Sequence, residues 1–102
     1  MTNNKQRPVA KYLIADTFKI TGRGLVFAGI ITEGMVSTGD IIEFTALGKI
    51  LRKKITGVEH GNKPEPSERK TGLLIKCENE IEIDELRNWE PNNQMGLIYK
   101  SE

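Results

Sequence analysis

The residues best suited to nucleophilic, acid–base or metal chemistry are few and lie far apart in the sequence. The chain has one histidine, His60, and one cysteine, Cys77, and this pair does not make a zinc site without several carboxylates. Carboxylates are dense from Glu78 to Glu85, which is more typical of a solvated acidic edge than of a metal or acid–base site. The sequence therefore predicts a protein that is not an enzyme and that uses no metal and no cofactor.

Phosphate-binding motifs are missing as well. The sequence contains no Gly-x-x-x-x-Gly-Lys-[Ser/Thr] loop, the motif whose backbone amides cradle the phosphates of a bound nucleotide. The segment Asn62-Lys63-Pro64-Glu65 is similar to the guanine-reading Asn-Lys-x-Asp, but it ends in Glu and lies in a loop with two prolines. We interpret it as a coincidence and expect no GTP binding by the chain alone.

The charge balance argues against a general nucleic-acid coat protein. Fifteen Lys and Arg against fourteen Asp and Glu give a formal charge of +1 in 102 residues, whereas non-specific binding draws its affinity from a basic surface. A basic cluster lies between Lys49 and Lys54, opposite in sign to the acidic run from Glu78 to Glu85. These two segments either face each other in the fold, which we favour, or steer a partner of complementary charge.

Cysteine usage and hydropathy indicate a cytoplasmic protein without a membrane segment. A single cysteine cannot form an internal disulfide, so nothing suggests an oxidising compartment. The first eight residues are polar and precede no apolar signal core. The longest apolar stretch, Leu25 to Ile31, is far too short to span a bilayer.

The elements that position the polar residues are predicted to be short strands separated by glycine turns. Residues 1–8 are expected to be a flexible lead-in, and residues 9–102 a single domain. The expected strands are Val9–Ile20, Leu25–Ile31, Ile41–Thr45, Lys49–Glu59, Gly72–Cys77, a short one at Ile81–Ile83, and Met95–Lys100. No helical period extends beyond one turn, so an all-β barrel or sandwich is predicted.

Residues within two of these predicted strands lead to more specific predictions. Tyr12, Ile14, Phe18 and Ile20 share one parity, with Asp16 as the polar exception, so Phe18 is either a core residue or part of a binding surface. Gly29 interrupts an apolar strand, which indicates a bend or a close backbone approach.

The segment from Phe18 to Gly34 resembles the opening of the second domain of elongation factor Tu and related translational GTPases. That pattern runs Phe-x-Ile-x-Gly-Arg-Gly-x-Val-x-x-Gly-x-Ile-x-x-Gly. The resemblance extends over about residues 12–78 and includes Gly39-Asp40, Ile42-Glu43, Thr56-Gly57-Val58-Glu59 and Gly72-Leu73-Leu74-Ile75-Lys76. It implies a small closed six-stranded antiparallel Greek-key barrel, here without the GTPase domain.

The resemblance also implies a binding surface. In that family the second domain helps to hold the aminoacylated 3′ end of tRNA. Asp16 and Phe18 match the acidic and aromatic positions of the pocket, and Glu59 matches a glutamate that contacts the terminal adenosine. The glutamate that usually precedes the aspartate is Ala15 here, and Lys70 replaces an asparagine. Arg23 is either idle at a turn tip or a contact for a phosphate or carboxylate.

From these residues we expect a non-enzymatic binding module that engages a component of the translation apparatus, either a protein or tRNA or rRNA. One alternative is direct binding of a single-stranded RNA or tRNA 3′ end through Asp16, Phe18, Glu59 and Lys70, since such ends are read by stacking and by edge hydrogen bonds. Another is a regulatory mimic that competes with the second domain of an intact translational GTPase.

Overall fold

The computed structural model describes residues 7–60 and 70–101. Residues 1–6 of the expected lead-in at 1–8, and the segment Asn62–Glu65, lie outside the described residues. The described elements, in chain order, are β1 Ala10–Ile20, β2 Gly24–Gly34, β3 Ile41–Ala46, β4 Lys49–His60, β5 Lys70–Ile75, α1 Glu80–Asn88 and β6 Gln94–Tyr99.

The strands close into a barrel in the order β1-β2-β5-β4-β3-β6, and all six neighbouring pairs are antiparallel. β3, β4 and β5 form a meander, and β6 returns to lie beside β3. This spatial order is that of a Greek key. The predicted all-β class and the closed six-stranded antiparallel barrel are therefore confirmed.

The barrel interior is filled by side chains from all six strands and from α1. Its fully buried large residues are Tyr12, Ile14, Leu25, Phe27, Ile42, Ile55, Leu73, Leu86 and Ile98. The Tyr12 hydroxyl donates to the Thr71 carbonyl oxygen and lies 3.2 Å from that of Phe27. Burial raises the pKa of this hydroxyl well above its usual range, so Tyr12 is a neutral donor inside the barrel.

A β-bulge in β1 overturns the simple parity expected for this strand. Pairing with β2 shifts register between Ile14 and Asp16, which leaves Ala15 as the extra residue. Ile14 before the bulge is fully buried, whereas Phe18 after it is 45% exposed. The interpretation of Phe18 as a core residue is wrong, because one extra residue moves every later side chain to the opposite face.

The expected short strand at Ile81–Ile83 is wrong, since these residues belong to α1. The Asn79 side chain caps this helix by accepting a hydrogen bond of 2.9 Å from the Glu82 N–H. Ile83 packs against the core and Leu86 lies within it, while Ile81 is exposed. Ile83 and Leu86, which face the core, are spaced i, i+3 as on one face of a helix. The spacing of two between Ile81 and Ile83 is also typical of a strand, and this led to the wrong prediction.

Ion pairs and an aromatic cluster hold α1 and the following segment against the barrel. Lys53, from the basic cluster on β4, contacts Glu82 at 2.6 Å in a site that is mostly closed to solvent. Burial by itself raises the pKa of Glu82, but the hydrogen bond from Lys53 and one from the Glu78 N–H lower it below its ordinary value. The two oppositely charged segments therefore do face each other, as favoured from the sequence.

The Trp89 ring, just beyond α1, lies 5.4 Å from that of Phe44 and 6.1 Å from that of Phe27. These contacts hold the start of the segment that leads from the helix into β6 against the barrel. In the described part of the chain, no helix is long and apolar enough to cross a membrane.

Candidate binding surface

The strand register aligns polar and small residues in one row across the outside of four neighbouring strands. Asp16 on β1 pairs with Ala28 on β2, Ala28 with Gly72 on β5, and Gly72 with Glu59 on β4. Each of the four has a neighbour in its strand that faces the interior, namely Thr17, Phe27, Leu73 and Val58, so the four share the outer face. This first row has a carboxylate at each end and only a methyl group and a glycine between them.

A second row lies beside the first and is apolar. Phe18 pairs with Val26, Val26 with Leu74, and Leu74 with Gly57. Val26 is 8% exposed although it is not part of the core cluster, so its neighbours on the outer surface cover it. Phe18 stays 45% exposed at the edge of the row. We call these two rows together the outer face.

The small residues of the first row form the floor of an open depression of about 450 Å³. Ala15, Ala28 and Gly72 contribute to it, while Glu59, His60 and Lys70 lie on its rim. His60 Nδ1 is 3.4 Å from the Thr71 hydroxyl. A depression with an apolar floor and charged rim groups is suited to hold a small side chain or a ring and to orient its polar atoms.

Arg23 is positioned by the tight turn between β1 and β2. Gly22 and Gly24 on either side have φ of +82° and +93°, a region that glycine enters without steric cost. The Arg23 N–H donates to the Ile20 carbonyl oxygen at 2.9 Å. From this turn the guanidinium reaches the Glu59 carboxylate and forms an ion pair with it.

The five residues predicted to bind a partner therefore lie on the same side of the barrel, but they do not converge on one point. Arg23 and Glu59 are in contact, and Lys70 is on the rim of the same depression as Glu59. Asp16 accepts a hydrogen bond of 2.8 Å from the Thr17 N–H. It lines a separate depression of about 460 Å³ beside the segment 87–92 that follows α1.

Arg23 is exposed at the turn, and its guanidinium pairs with a carboxylate of this chain. That Arg23 contacts a phosphate or carboxylate of a partner stays a prediction. Sequence reasoning missed His60 and the small residues Ala28 and Gly72 as parts of the surface. Each lies opposite or beside a predicted residue in the register. A correct pairing of β2, β4 and β5 would have found them.

Two kinds of reactive group, metal ligands and cysteine thiols, were the candidates for chemistry in the described residues. Residues 7–60 and 70–101 contain no group of three or more His, Cys, Asp or Glu placed to hold a metal ion. Burial raises the pKa of the Cys77 thiol to about 11, with Glu82 adding to this effect and Lys53 opposing it. A thiol with such a pKa is almost fully protonated near neutral pH and is a poor nucleophile.

Comparison with known protein families does not identify this chain, since no family model matches its sequence.

Proposed function

We propose that this protein is a non-enzymatic binding module and that its outer face engages a component of the translation apparatus. The observation that carries the proposal is the strand register, which gathers Asp16, Phe18 and Glu59 from two distant parts of the sequence onto one surface. Exposed aromatic side chains and arginine are enriched where proteins bind each other, and Phe18 and Arg23 supply both. The proposal places the protein in the cytoplasm.

The link to translation comes from the sequence pattern from Phe18 to Gly34 and from the Thr-Gly-Val-Glu segment that ends at Glu59. The first segment supplies β2 and the turn that carries Arg23, and the second supplies the end of β4. Both segments border the same face. A binding surface built from these two segments is what a relative of a translation-factor second domain would retain.

A second candidate function is direct binding of a single-stranded RNA end. Phe18 favours it, because an aromatic ring that is 45% exposed on the outer face can stack on a nucleobase. In this case Glu59 and Lys70, which line the open depression, would contact the polar edge of a neighbouring base or the terminal ribose. Binding would weaken as salt is raised, and Glu59→Ala would weaken it further.

The proposal is tested by affinity capture from a lysate of the native cells, with and without ribonuclease, followed by identification of protein and RNA. Wild-type protein is compared with Phe18→Ala and with Ile50→Ala. Ile50 is an exposed apolar residue, 68% exposed, and lies at the other end of β4 where that strand pairs with β3. It is therefore a control for loss of surface hydrophobicity away from the outer face.

We expect a translation factor, ribosomal protein, tRNA or rRNA to be captured by the wild type and by Ile50→Ala but not by Phe18→Ala. A captured protein that persists after ribonuclease supports the leading function, and captured RNA that disappears with ribonuclease supports the second. If no component of translation is enriched, the proposed function is wrong. If only Ile50→Ala loses the captured component, the outer face is not the binding surface.

A further inference from the structure

The ion pair between Arg23 and Glu59 joins two groups that were both predicted to contact a partner. In this structure the two groups bind each other, with Nη2 of the arginine donating to Oε2 of the glutamate. A guanidinium presents five N–H donors in a planar fork that matches a carboxylate. The Glu59 contact uses one nitrogen of that fork, so the group can exchange this partner for another oxygen anion.

Such an exchange is energetically easy because the pair is exposed. The Arg23 and Glu59 side chains are 46% and 53% exposed. Exposed ion pairs are weak, and breaking one reduces the affinity of a competing ligand by at most a factor of about five. The contact is therefore strong enough to hold Arg23 over the outer face and weak enough for a partner to displace it.

The neighbours of the pair are apolar. The strand register places Val26 and Leu74 on the outer face, in the row beside the one that contains Glu59. Ile20, the last residue of β1, is 40% exposed and Phe18 is 45% exposed. A ligand that binds Arg23 here also covers apolar surface.

The charges on this face disfavour a polyanion. Arg23 and Lys70 are balanced by Asp16 and Glu59, which leaves no net positive charge among these four residues to attract a string of phosphates. A single carboxylate beside an apolar side chain meets no such difficulty. It would replace the Glu59 carboxylate on the guanidinium and leave Glu59 exposed to water.

We propose that the Arg23–Glu59 pair is a latch that a partner protein opens by presenting an Asp or Glu side chain next to an apolar residue. The partner's carboxylate takes the place of Glu59 on Arg23, and its apolar side chain covers Phe18 and Ile20. Glu59 is thus a built-in competitor rather than a ligand contact. This inference rests on the proposed binding function of the outer face and specifies the chemistry of its partner.

The test uses two defined peptides, N-acetyl-Leu-Glu-Leu-amide and N-acetyl-Leu-Gln-Leu-amide, titrated into ¹⁵N-labelled protein and followed by NMR. The variants are Glu59→Gln, Arg23→Gln and the double variant. Glu33→Gln is the matched control, because Glu33 forms an exposed pair of the same kind with Lys11 at the other end of β1 and β2, at 3.8 Å.

We expect the glutamate peptide to shift the amide signals of the β1–β2 turn and the Arg23 Nε–H signal, and the glutamine peptide to bind at least several-fold more weakly. Glu59→Gln should tighten binding of the glutamate peptide by a factor of about two to five, because it removes the competitor. Arg23→Gln should abolish the preference for the glutamate peptide. The double variant should behave as Arg23→Gln, and Glu33→Gln as the wild type.

Three results would overturn the latch. Glu59→Gln could weaken binding as much as Arg23→Gln does, which would make Glu59 a ligand contact. Octa-uridylate, titrated in parallel, could bind more tightly than the glutamate peptide and respond to Arg23→Gln, which would assign the arginine to RNA. Finally, both peptides could fail to bind even with Glu59→Gln. Each of these outcomes leaves capture of a translation component by the wild type unaffected, so failure of the latch is distinguishable from failure of the proposed function.

Discussion

At the scale of single residues, Gly29 marks a close approach between the backbones of β1 and β2. This glycine faces inward beneath the Tyr12 ring, and it lies against the backbone of Leu13 on the neighbouring strand. A Cβ atom at position 29 would be 1.9 Å from the Leu13 carbonyl oxygen and 3.1 Å from the Tyr12 ring. The approach therefore depends on the missing side chain, as the position of this glycine within an apolar strand indicated.

Replacement of Gly29 by alanine should destabilise the protein strongly. The clash involves a backbone oxygen, which cannot move without breaking the β1–β2 pairing, so we expect a loss of about 3 kcal/mol in the free energy of unfolding. For a domain of this size that corresponds to a fall of about 10–20 °C in Tm. Thermal unfolding followed by circular dichroism measures it.

Gly72→Ala is the control for Gly29→Ala. Gly72 lies in the adjacent strand β5, and an added Cβ would meet its nearest neighbours at 3.7–3.8 Å, an ordinary contact distance. Its Tm should change by no more than about 5 °C. An equal fall in Tm for the two variants would contradict the close approach seen at Gly29.

At the scale of elements, α1 is the part of the fold that strand periodicity does not explain. The helix lies against one end of the barrel and inserts Leu86 into the core. Lys19 on β1 contacts Glu80 at 3.2 Å and Asp84 at 2.9 Å, both on the helix. The Asp84 and Glu80 carboxylates raise the pKa of Lys19. Both of these contacts are exposed, so the more enclosed Lys53–Glu82 pair stabilises the packing of α1 more strongly.

The Lys53–Glu82 pair predicts a pH dependence of stability. The pKa of Glu82 is lower in the folded protein than the usual value, so the folded state favours the ionised form. The resulting stabilisation is complete above the pKa of an unfolded glutamate, about 4.3, and is lost as the pH falls through the lower folded value. Glu82→Gln lacks it at every pH.

In urea unfolding experiments at pH 7, the free energy of unfolding of the wild type should be about 1–3 kcal/mol larger than that of Glu82→Gln. The difference should stay constant down to about pH 5 and shrink below about pH 4. Glu33→Gln, which breaks an exposed pair, should cost less than about 1 kcal/mol. A difference for Glu82→Gln that grew on acidification would show that the sign of this linkage is wrong.

At the scale of the whole molecule, closure of the barrel decides what is accessible. Each strand pairs with two neighbours along part of its length, and the Gln94 side chain completes the seam between β6 and β3. Its amide accepts from the Thr45 N–H at 2.6 Å and donates to the Thr45 carbonyl oxygen at 2.8 Å. At the margin of the interior, Cys77 is partly buried.

Cys77 is the only cysteine in the chain, so alkylation of the protein reports on this one partly buried thiol. Its pKa of about 11 should make alkylation by iodoacetamide at pH 8 slower in the native protein than in urea by about two orders of magnitude. Mass spectrometry of the quenched reaction measures both rates. Rapid labelling of the native protein would contradict the shielding of this thiol.

The sequence alone determined the strands and their chemistry. Alternating apolar residues and glycine turns predicted all six strands of the described residues, with ends that differ from the observed ones by a few residues. The sequence pattern over about residues 12–78 predicted the closed barrel and pointed to Asp16, Phe18, Arg23, Glu59 and Lys70. The strands could be predicted because hydrophobic period and turn residues act within a few positions of the chain.

The tertiary structure alone decided which of these residues meet. A single bulge at Ala15 turned Phe18 from the interior to the surface, and the register of β2, β5 and β4 placed Glu59 within reach of Arg23, 36 positions away in the sequence. Packing against the barrel end kept residues 80–88 helical where alternation predicted a strand. Register, bulges and docking depend on contacts between distant segments, and no local pattern specifies them.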